Sequence, residues 1–284
     1  MQQQDKKKVI YYTDLTEDFA GTNIKTKALD AKFPYIHEGL PFRVGASLLY
    51  YIIALPLVWF YIRVINGTKF VNRKALRAIK GGFYLYGNHT HWSDSFLPHV
   101  IAAPKRTYVV ANPDAVSIRG IKTIVQMVGA IPVPDTVACL RKFVDALEIR
   151  GKQGACVAIY PEAHIWPYYT GIRPFPDSAF KYPAKFHLPV VAMVTTFRKR
   201  KGLLGFIKTP ARTVVLSNPI YAKEGMSMHE SQVYFHEQVY EFMQTYAECP
   251  DNYEFVQYIQ NQQVEPCSAP SAEDEADCVY ERAV

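Results

Sequence analysis

Phe83-Tyr84-Leu85-Tyr86-Gly87-Asn88-His89-Thr90-His91-Trp92-Ser93-Asp94 opens as a short apolar run of β character, breaks at a glycine and leads into a helical pattern. A strand that hands over to a helix through a polar turn is the building unit of α/β folds, and that turn is where such folds carry chemistry. Here the turn places His89 five residues ahead of Asp94. A carboxylate so placed can fix an imidazole and leave its second nitrogen free to take a proton. The imidazole can then deprotonate an alcohol as it attacks a carbonyl, while the carboxylate steadies the imidazolium; no serine nucleophile is needed. The same residues also fit a purely local role, with Asp94 capping the helix through Ser95, Phe96 and Leu97.

Downstream, the α/β pattern continues. Residues 95–102 have helical spacing, 107–110 read as a strand, and 112–128 as a helix in two pieces. Residues 129–134 are turn-like, with little room for regular structure, and 136–150 are helical. A buried strand over 155–160 ends in Pro161-Glu162 and is followed by a proline- and aromatic-rich loop to Pro176. A helix over 177–187, strands over 190–197 and 212–216, and a long amphipathic helix over 226–249 complete the pattern. Strands alternating with helices predict an α/β fold, a mostly parallel sheet covered by helices. His89 and Glu162 each fall just after a predicted strand, at the end where such sheets gather active groups.

The 284-residue chain is 49% hydrophobic and only 20% charged, enough to bury a full core. Its last twenty residues set six acidic groups against Arg282, so a net charge of +6 leaves a markedly basic body. Such a body is drawn to nucleic acid, anionic lipid or phosphate-bearing substrates; no nucleic-acid-binding motif accompanies the charge, so no nucleic-acid partner is predicted. Five cysteines, widely spaced and without a CxxC pair, fit neither a disulfide framework nor a zinc ribbon, and no signal peptide opens the chain.

Four segments are expected: a basic leader over 1–40, a membrane-associated apolar helix or hairpin over 41–66, the α/β domain over 67–260 and an acidic disordered tail over 261–284. Nineteen uncharged residues, 44–62, are enough to span a bilayer. Pro56 interrupts them and basic residues flank both sides, which favours a hairpin dipping into one leaflet over a straight span, with the catalytic body at the cytoplasmic face.

The order of motifs resembles the glycerolipid acyltransferase family, including its 1-acyl-sn-glycerol-3-phosphate acyltransferases. Asn88-His89 with Asp94 resembles the family's His-x-x-x-x-Asp signature, and Gly129-Ala130-Ile131-Pro132-Val133 its Gly-x-Ile segment, without that segment's arginine. Tyr160-Pro161-Glu162, then Arg173-Pro174-Phe175 and Ala179-Phe180, resemble the Pro-Glu-Gly-Thr-Arg block and its downstream sequence; Leu188-Pro189-Val190-Val191 resembles the fourth block. The resemblance implies a fatty acyl thioester, acyl-CoA or acyl carrier protein, as co-substrate, no cofactor, and a lysophospholipid of the membrane as acceptor. His89 would then be the general base and Asp94 its orienter, with Asn88 or a backbone N–H meeting the oxyanion and Glu162 shaping the acceptor pocket. The chain departs from the family after Glu162, where Gly-Thr-Arg gives way to Ala163-His164-Ile165. Arg173, or more weakly His164, is the expected stand-in for the missing phosphate-binding arginine, and an acceptor without phosphate is the alternative.

Two other classes fit part of the sequence. His89-Thr90-His91 with Asp94 resembles the His-x-His-x-Asp-His motif of binuclear zinc hydrolases, but the aspartate comes one position late and no histidine follows it, so no metal site is predicted. A non-catalytic membrane-surface protein would explain the basic body and the apolar segment.

Overall fold

Alternation within residues 83–86 sets the two faces of the central sheet. Phe83 and Leu85 enter one apolar layer and Tyr84 and Tyr86 the other, all four without solvent exposure. Side chains of a strand point alternately to opposite faces, so a run apolar at every position must be covered on both sides. The computed structural model describes residues 7–21, 29, 33–117, 120–134, 136–202 and 205–261. Among them the strands are β1 (Lys8–Tyr12), β2 (Lys69–Val71), β3 (Phe83–Gly87), β4 (Thr107–Ala111), β5 (Ala130–Pro132), β6 (Cys156–Ile159), β7 (Val190–Arg198), β8 (Ala211–Leu216) and β9 (Val256–Gln260). The helices are α1 (Leu40–Ile65), α2 (Leu97–Ala102), α3 (Asp114–Ser117), α4 (Lys122–Met127), α5 (Val137–Lys152), α6 (Lys181–Phe186) and α7 (Met228–Ala247).

Seven strands form one sheet in the order β2-β8-β7-β3-β6-β4-β5. Pairing is parallel from β7 across to β5 and antiparallel between β7 and β8. Phe83 and Leu85 pack with Leu97, Val100 and Ile101 of α2 and Ile62 of α1. On the opposite face Tyr84 and Tyr86 meet Phe143 and Leu147 of α5, Ala184 of α6, and Phe235, Val239 and Met243 of α7. Each such side chain contributes roughly 1.5–3 kcal/mol by leaving water. Helix α7 starts where Ser227 caps the Glu230 N–H and Glu230 reaches back to the Ser227 N–H.

Three features differ from the sequence-based expectation. Residues 130–132, expected to be turn-like, form β5, with Val109 N–H donating to Gly129 O and Val133 N–H to Ala111 O. Pro132 is tolerated there because β5 is the sheet's edge, and Gly129 is required because its φ is +112° and a Cβ would lie 2.4 Å from Thr107 O. The leader contributes a strand: β1 pairs in parallel with β9, Lys8 opposite Val256, joining the two ends of the described chain. The expected acidic tail lies outside the described residues, as do residues 1–6, 22–28 and 30–32 of the leader.

The expected hairpin is instead one helix of 26 residues. Pro56 does not reverse it because the turn before it is widened: Leu55 N–H reaches back five residues to Tyr50 O, and Asn66 N–H does the same to Tyr61 O. Tyr50 and Ile62 are buried against the body, while Leu48, Ile52, Ile53, Leu57, Trp59 and Phe60 face outward and are half exposed or more. The helix is long and apolar enough to cross a membrane, yet it is docked along the protein.

Candidate active site

Gly87 ends β3, and a Cβ at that position would lie 2.4 Å from Met193 Cε and 3.1 Å from Tyr160 Cε1, so a larger residue there would require the Met193 side chain of β7 to move. Asn88 pins the turn. Its buried amide accepts from Thr195 N–H at 2.8 Å and donates to Thr195 O at 3.2 Å, completing a bridge to β7 across the sheet's C-terminal end. The amide of Asn88, expected with a backbone N–H as one of two candidate oxyanion donors, is thus engaged by the backbone of Thr195. His89 follows, its own N–H donating to Glu162 Oε2 at 3.1 Å. The contact exists because β3 and β6 are neighbours, Tyr86 opposite Ile159, so the residues following the two strands emerge side by side.

His89 Nδ1 lies 3.4 Å from Asp94 Oδ2, and its ring stacks on Tyr160 with centroids 4.6 Å apart. The histidine side chain is 16% exposed and the aspartate fully buried. Catalytic hydrogen bonds are commonly this long before substrate binds. Asp94 Oδ2 also accepts from the N–H groups of Thr90 and His91 at 2.7 Å each, and Oδ1 from Arg212 Nη1 at 3.0 Å. Burial alone would raise the Asp94 pKa; the hydrogen bond with His89 and the charge of Arg212 outweigh it and hold the pKa below its usual value. The aspartate therefore stays ionised beside the imidazole. The expected cap on residues 95–97 is not what Asp94 forms; His91 is the N-cap of the 92–96 turn, and Asp94 at its third position reaches back to the His91 N–H.

Arg212, on β8, was not among the residues expected from sequence. Its Nη2 donates to Ser93 Oγ at 3.0 Å, and Ser93 in turn contacts His91 Nδ1 at 2.9 Å. His91 Nδ1 also accepts from Ser93 N–H, so the proton of the neutral ring sits on Nε2. Burial, with the Arg212 charge, lowers the His91 pKa to about 4. Among the described residues no three His, Cys, Asp or Glu side chains converge as metal ligands.

Glu162 and Arg173 meet in a buried ion pair, Nη2 to Oε2 at 3.1 Å, while Arg173 N–H donates to Oε1 at 3.1 Å. Burial raises the Glu162 pKa, partly offset by Arg173. The guanidinium also donates to His164 O and to Leu15 O, so Arg173 is enclosed by its own loop and the leader. His164 faces outward, its Nδ1 3.6 Å from Asp18. Trp166, fully buried, donates to Glu17 O at 2.7 Å and is ringed by Tyr12, Phe19, Tyr169 and Tyr258. The leader is thereby fastened over the Glu162 loop. His89, Asp94, Asn88, Glu162 and Arg173 are brought to one edge of the sheet, with Arg173 serving Glu162.

The chain is similar to known proteins in sequence and in fold. Residues 66–196 match the family model described as Acyltransferase. No curated protein sequence matches the chain significantly. Among solved structures, the crystal structure of the 1-acyl-sn-glycerophosphate (LPA) acyltransferase PlsC from Thermotoga maritima is similar in fold, with a TM-score of 0.52 at 15% identity over 73% of this chain and 88% of that one. The match to the Acyltransferase model begins ahead of β3 and takes in the His89 turn, Asp94, Glu162 and Arg173.

Proposed function

We propose that this O-acyltransferase moves a fatty acyl group from an acyl thioester, acyl-CoA or acyl carrier protein, to a hydroxyl of a lysophospholipid, with 1-acyl-sn-glycerol-3-phosphate the first acceptor to consider, as a step of phospholipid synthesis. The observation that carries the reading is the pairing of His89 Nδ1 with a buried, ionised Asp94, which leaves Nε2 for the acceptor. Nε2 takes the hydroxyl proton as the oxygen attacks the thioester carbonyl. The tetrahedral intermediate collapses with cleavage of the C–S bond, and the imidazolium returns the proton to the departing thiolate, giving ester and free thiol. Asp94, held by Arg212, steadies the imidazolium, and because the acceptor oxygen attacks the thioester directly no acyl-enzyme is needed.

The acceptor would arrive from a membrane. Tyr61, near the end of α1, lies 5.8 Å from Trp92 of the His89 turn, and Trp92 is 59% exposed beside the outward apolar face of α1. A helix docked along the body with that face outward favours a protein lying in one leaflet over one that spans it. A second reading, an acceptor without phosphate, is favoured by the enclosure of Arg173, since phosphate there would have to displace the Leu15 and His164 carbonyls. The test is thiol release by detergent-purified protein from long-chain acyl-CoA or acyl carrier protein, with lysophosphatidate and unphosphorylated acceptors in parallel and His89→Ala as control. Release that persists in His89→Ala sinks the mechanism, and release with unphosphorylated acceptors alone selects the second reading.

A further inference from the structure

A cavity of about 360 Å3 lies at the other end of the strands, where Arg106 precedes β4 and Arg150 lies just ahead of β6. Arg43, Arg106 and Arg150 line it, and no Asp or Glu stands among its described lining residues. The guanidinium groups of Arg150 and Arg106 share one ring, Tyr108, at 4.4 and 5.6 Å, and Arg106 also lies 3.8 Å from the Tyr50 centroid. Aromatic faces, with the carbonyls of Ala46 and Met127 for Arg106 and Gln153 Oε1 for Arg150, hold these cations in place without neutralising them. Burial, and then the neighbouring Arg106 and Arg43, lower the Arg150 pKa. Two buried nitrogens of lining residues, Arg150 Nε and His37 Nε2, have no hydrogen-bond partner among the described residues. Gathered like charges with unspent donors are relieved by an anion, and a guanidinium fork matches phosphate.

The cavity's outer wall is the first part of α1, with Phe42, Arg43 and Tyr51, whose helical neighbours Leu40, Val44, Leu48 and Ile52 are exposed. Arg43 and Tyr61 are eighteen residues apart on α1, roughly 27 Å at 1.5 Å per residue, so the cavity is well removed from the His89 turn. We propose that this cavity is a second site that takes the phosphate of an anionic phospholipid headgroup, with the lipid's chains lying along the outer face of α1. The proposal rests on the reading that α1 meets lipid; it does not require acyl transfer.

The test measures binding of dihexanoyl phosphatidylglycerol, below its micelle concentration, to the full chain by calorimetry, beside dihexanoyl phosphatidylcholine, adenosine 3′,5′-bisphosphate and inorganic phosphate. Wild type and His89→Ala are expected to bind the anionic lipid alike, and the Arg43→Gln/Arg150→Gln variant at least about tenfold more weakly. Should the double variant not fold, Arg43→Gln alone, at an exposed position, carries the test. Phenylglyoxal labelling read by peptide mass is expected to show Arg43 and Arg150 of the wild type protected by the anionic lipid. Unchanged binding in the arginine variants, loss in His89→Ala, equal binding of phosphatidylcholine, or tighter binding of the bisphosphate or inorganic phosphate would each overturn the assignment. Acyl transfer is not the readout, so failure here is separable from failure of the proposed enzyme activity.

Discussion

Replacing Arg212 with methionine tests whether Asp94 is held ionised by a guanidinium from across the sheet. The arginine is 2% exposed and bonds Asp94 Oδ1 and Ser93 Oγ at 3.0 Å each. Breaking a buried pair from one side costs about 3–5 kcal/mol, because the remaining charge is left in a dry site. Asp94 keeps two backbone N–H donors and His89, so the lower end, about 3 kcal/mol, is expected. For a chain of this size that corresponds to a fall of roughly 6–12 °C in Tm at pH 7. Asp94 has a lowered pKa in the folded protein, so its contribution is present above the unfolded value and is lost as pH falls through the folded one. Without Arg212, burial raises that pKa, and the acid limb of both stability and activity moves to higher pH. Thermal unfolding and acyl transfer measured across pH in detergent would show both shifts. A double-mutant cycle with Asp94→Asn is expected to give a coupling of about 1–3 kcal/mol. A Tm within about 2 °C of wild type, an unmoved acid limb and no coupling would refute the reasoning.

His89→Ala is expected to lower acyl transfer by about 10²–10⁴-fold with the fold retained, checked by thiol release and circular dichroism on the same preparation. Ala163 has φ +64° in the turn after Glu162, and Ala163→Gly should stabilise by about 0.5–1 kcal/mol by removing left-handed strain, measured by denaturant unfolding. His91 has a folded pKa of about 4 against 6.5 for the free side chain, so it binds its proton more readily unfolded; stability should fall as pH drops from 6.5 towards 4, and His91→Asn should flatten that window. Trp166→Phe removes the indole donor to Glu17 O and should speed hydrogen exchange and proteolysis of residues 8–18, with a loss of about 1 kcal/mol.

What the sequence made legible is what local spacing encodes. The run at 83–86 must be a doubly covered strand, the glycine must end it, and a histidine five residues ahead of an aspartate must meet it within one turn. Glu162 was placed beside His89 by the same rule, because residues following neighbouring parallel strands emerge together at the sheet's C-terminal end. Arg212 was not, since 118 residues separate it from Asp94. Its signal was present: an arginine among Ala211, Val214, Val215 and Leu216 in a buried strand requires a buried acceptor, and Asp94 had no other cation assigned to it. Strands β1 and β9 gave weaker signals, since each is half exposed and their pairing joins residues nearly the whole chain apart. Pro56 read as a reversal because proline ordinarily breaks a helix, whereas a five-residue turn absorbs it.

The Glu162 loop shows how one altered motif propagates. Ala163 stands in a left-handed turn that glycine would take without strain, and Glu162 is paired with Arg173, eleven residues on. That pair is dry, so Glu162 can hold the His89 backbone N–H only while Arg173 stays enclosed. Enclosure in turn depends on the carbonyls of His164 and Leu15, and the Leu15 contact requires the leader to be fastened by Trp166. A phosphate recruited to Arg173 would therefore compete with the contacts that set the His89 turn. An acceptor that carries phosphate is more economically met by cations outside this loop, which makes the acceptor series with lysophosphatidate and its unphosphorylated counterparts a test of the loop as well as of the substrate.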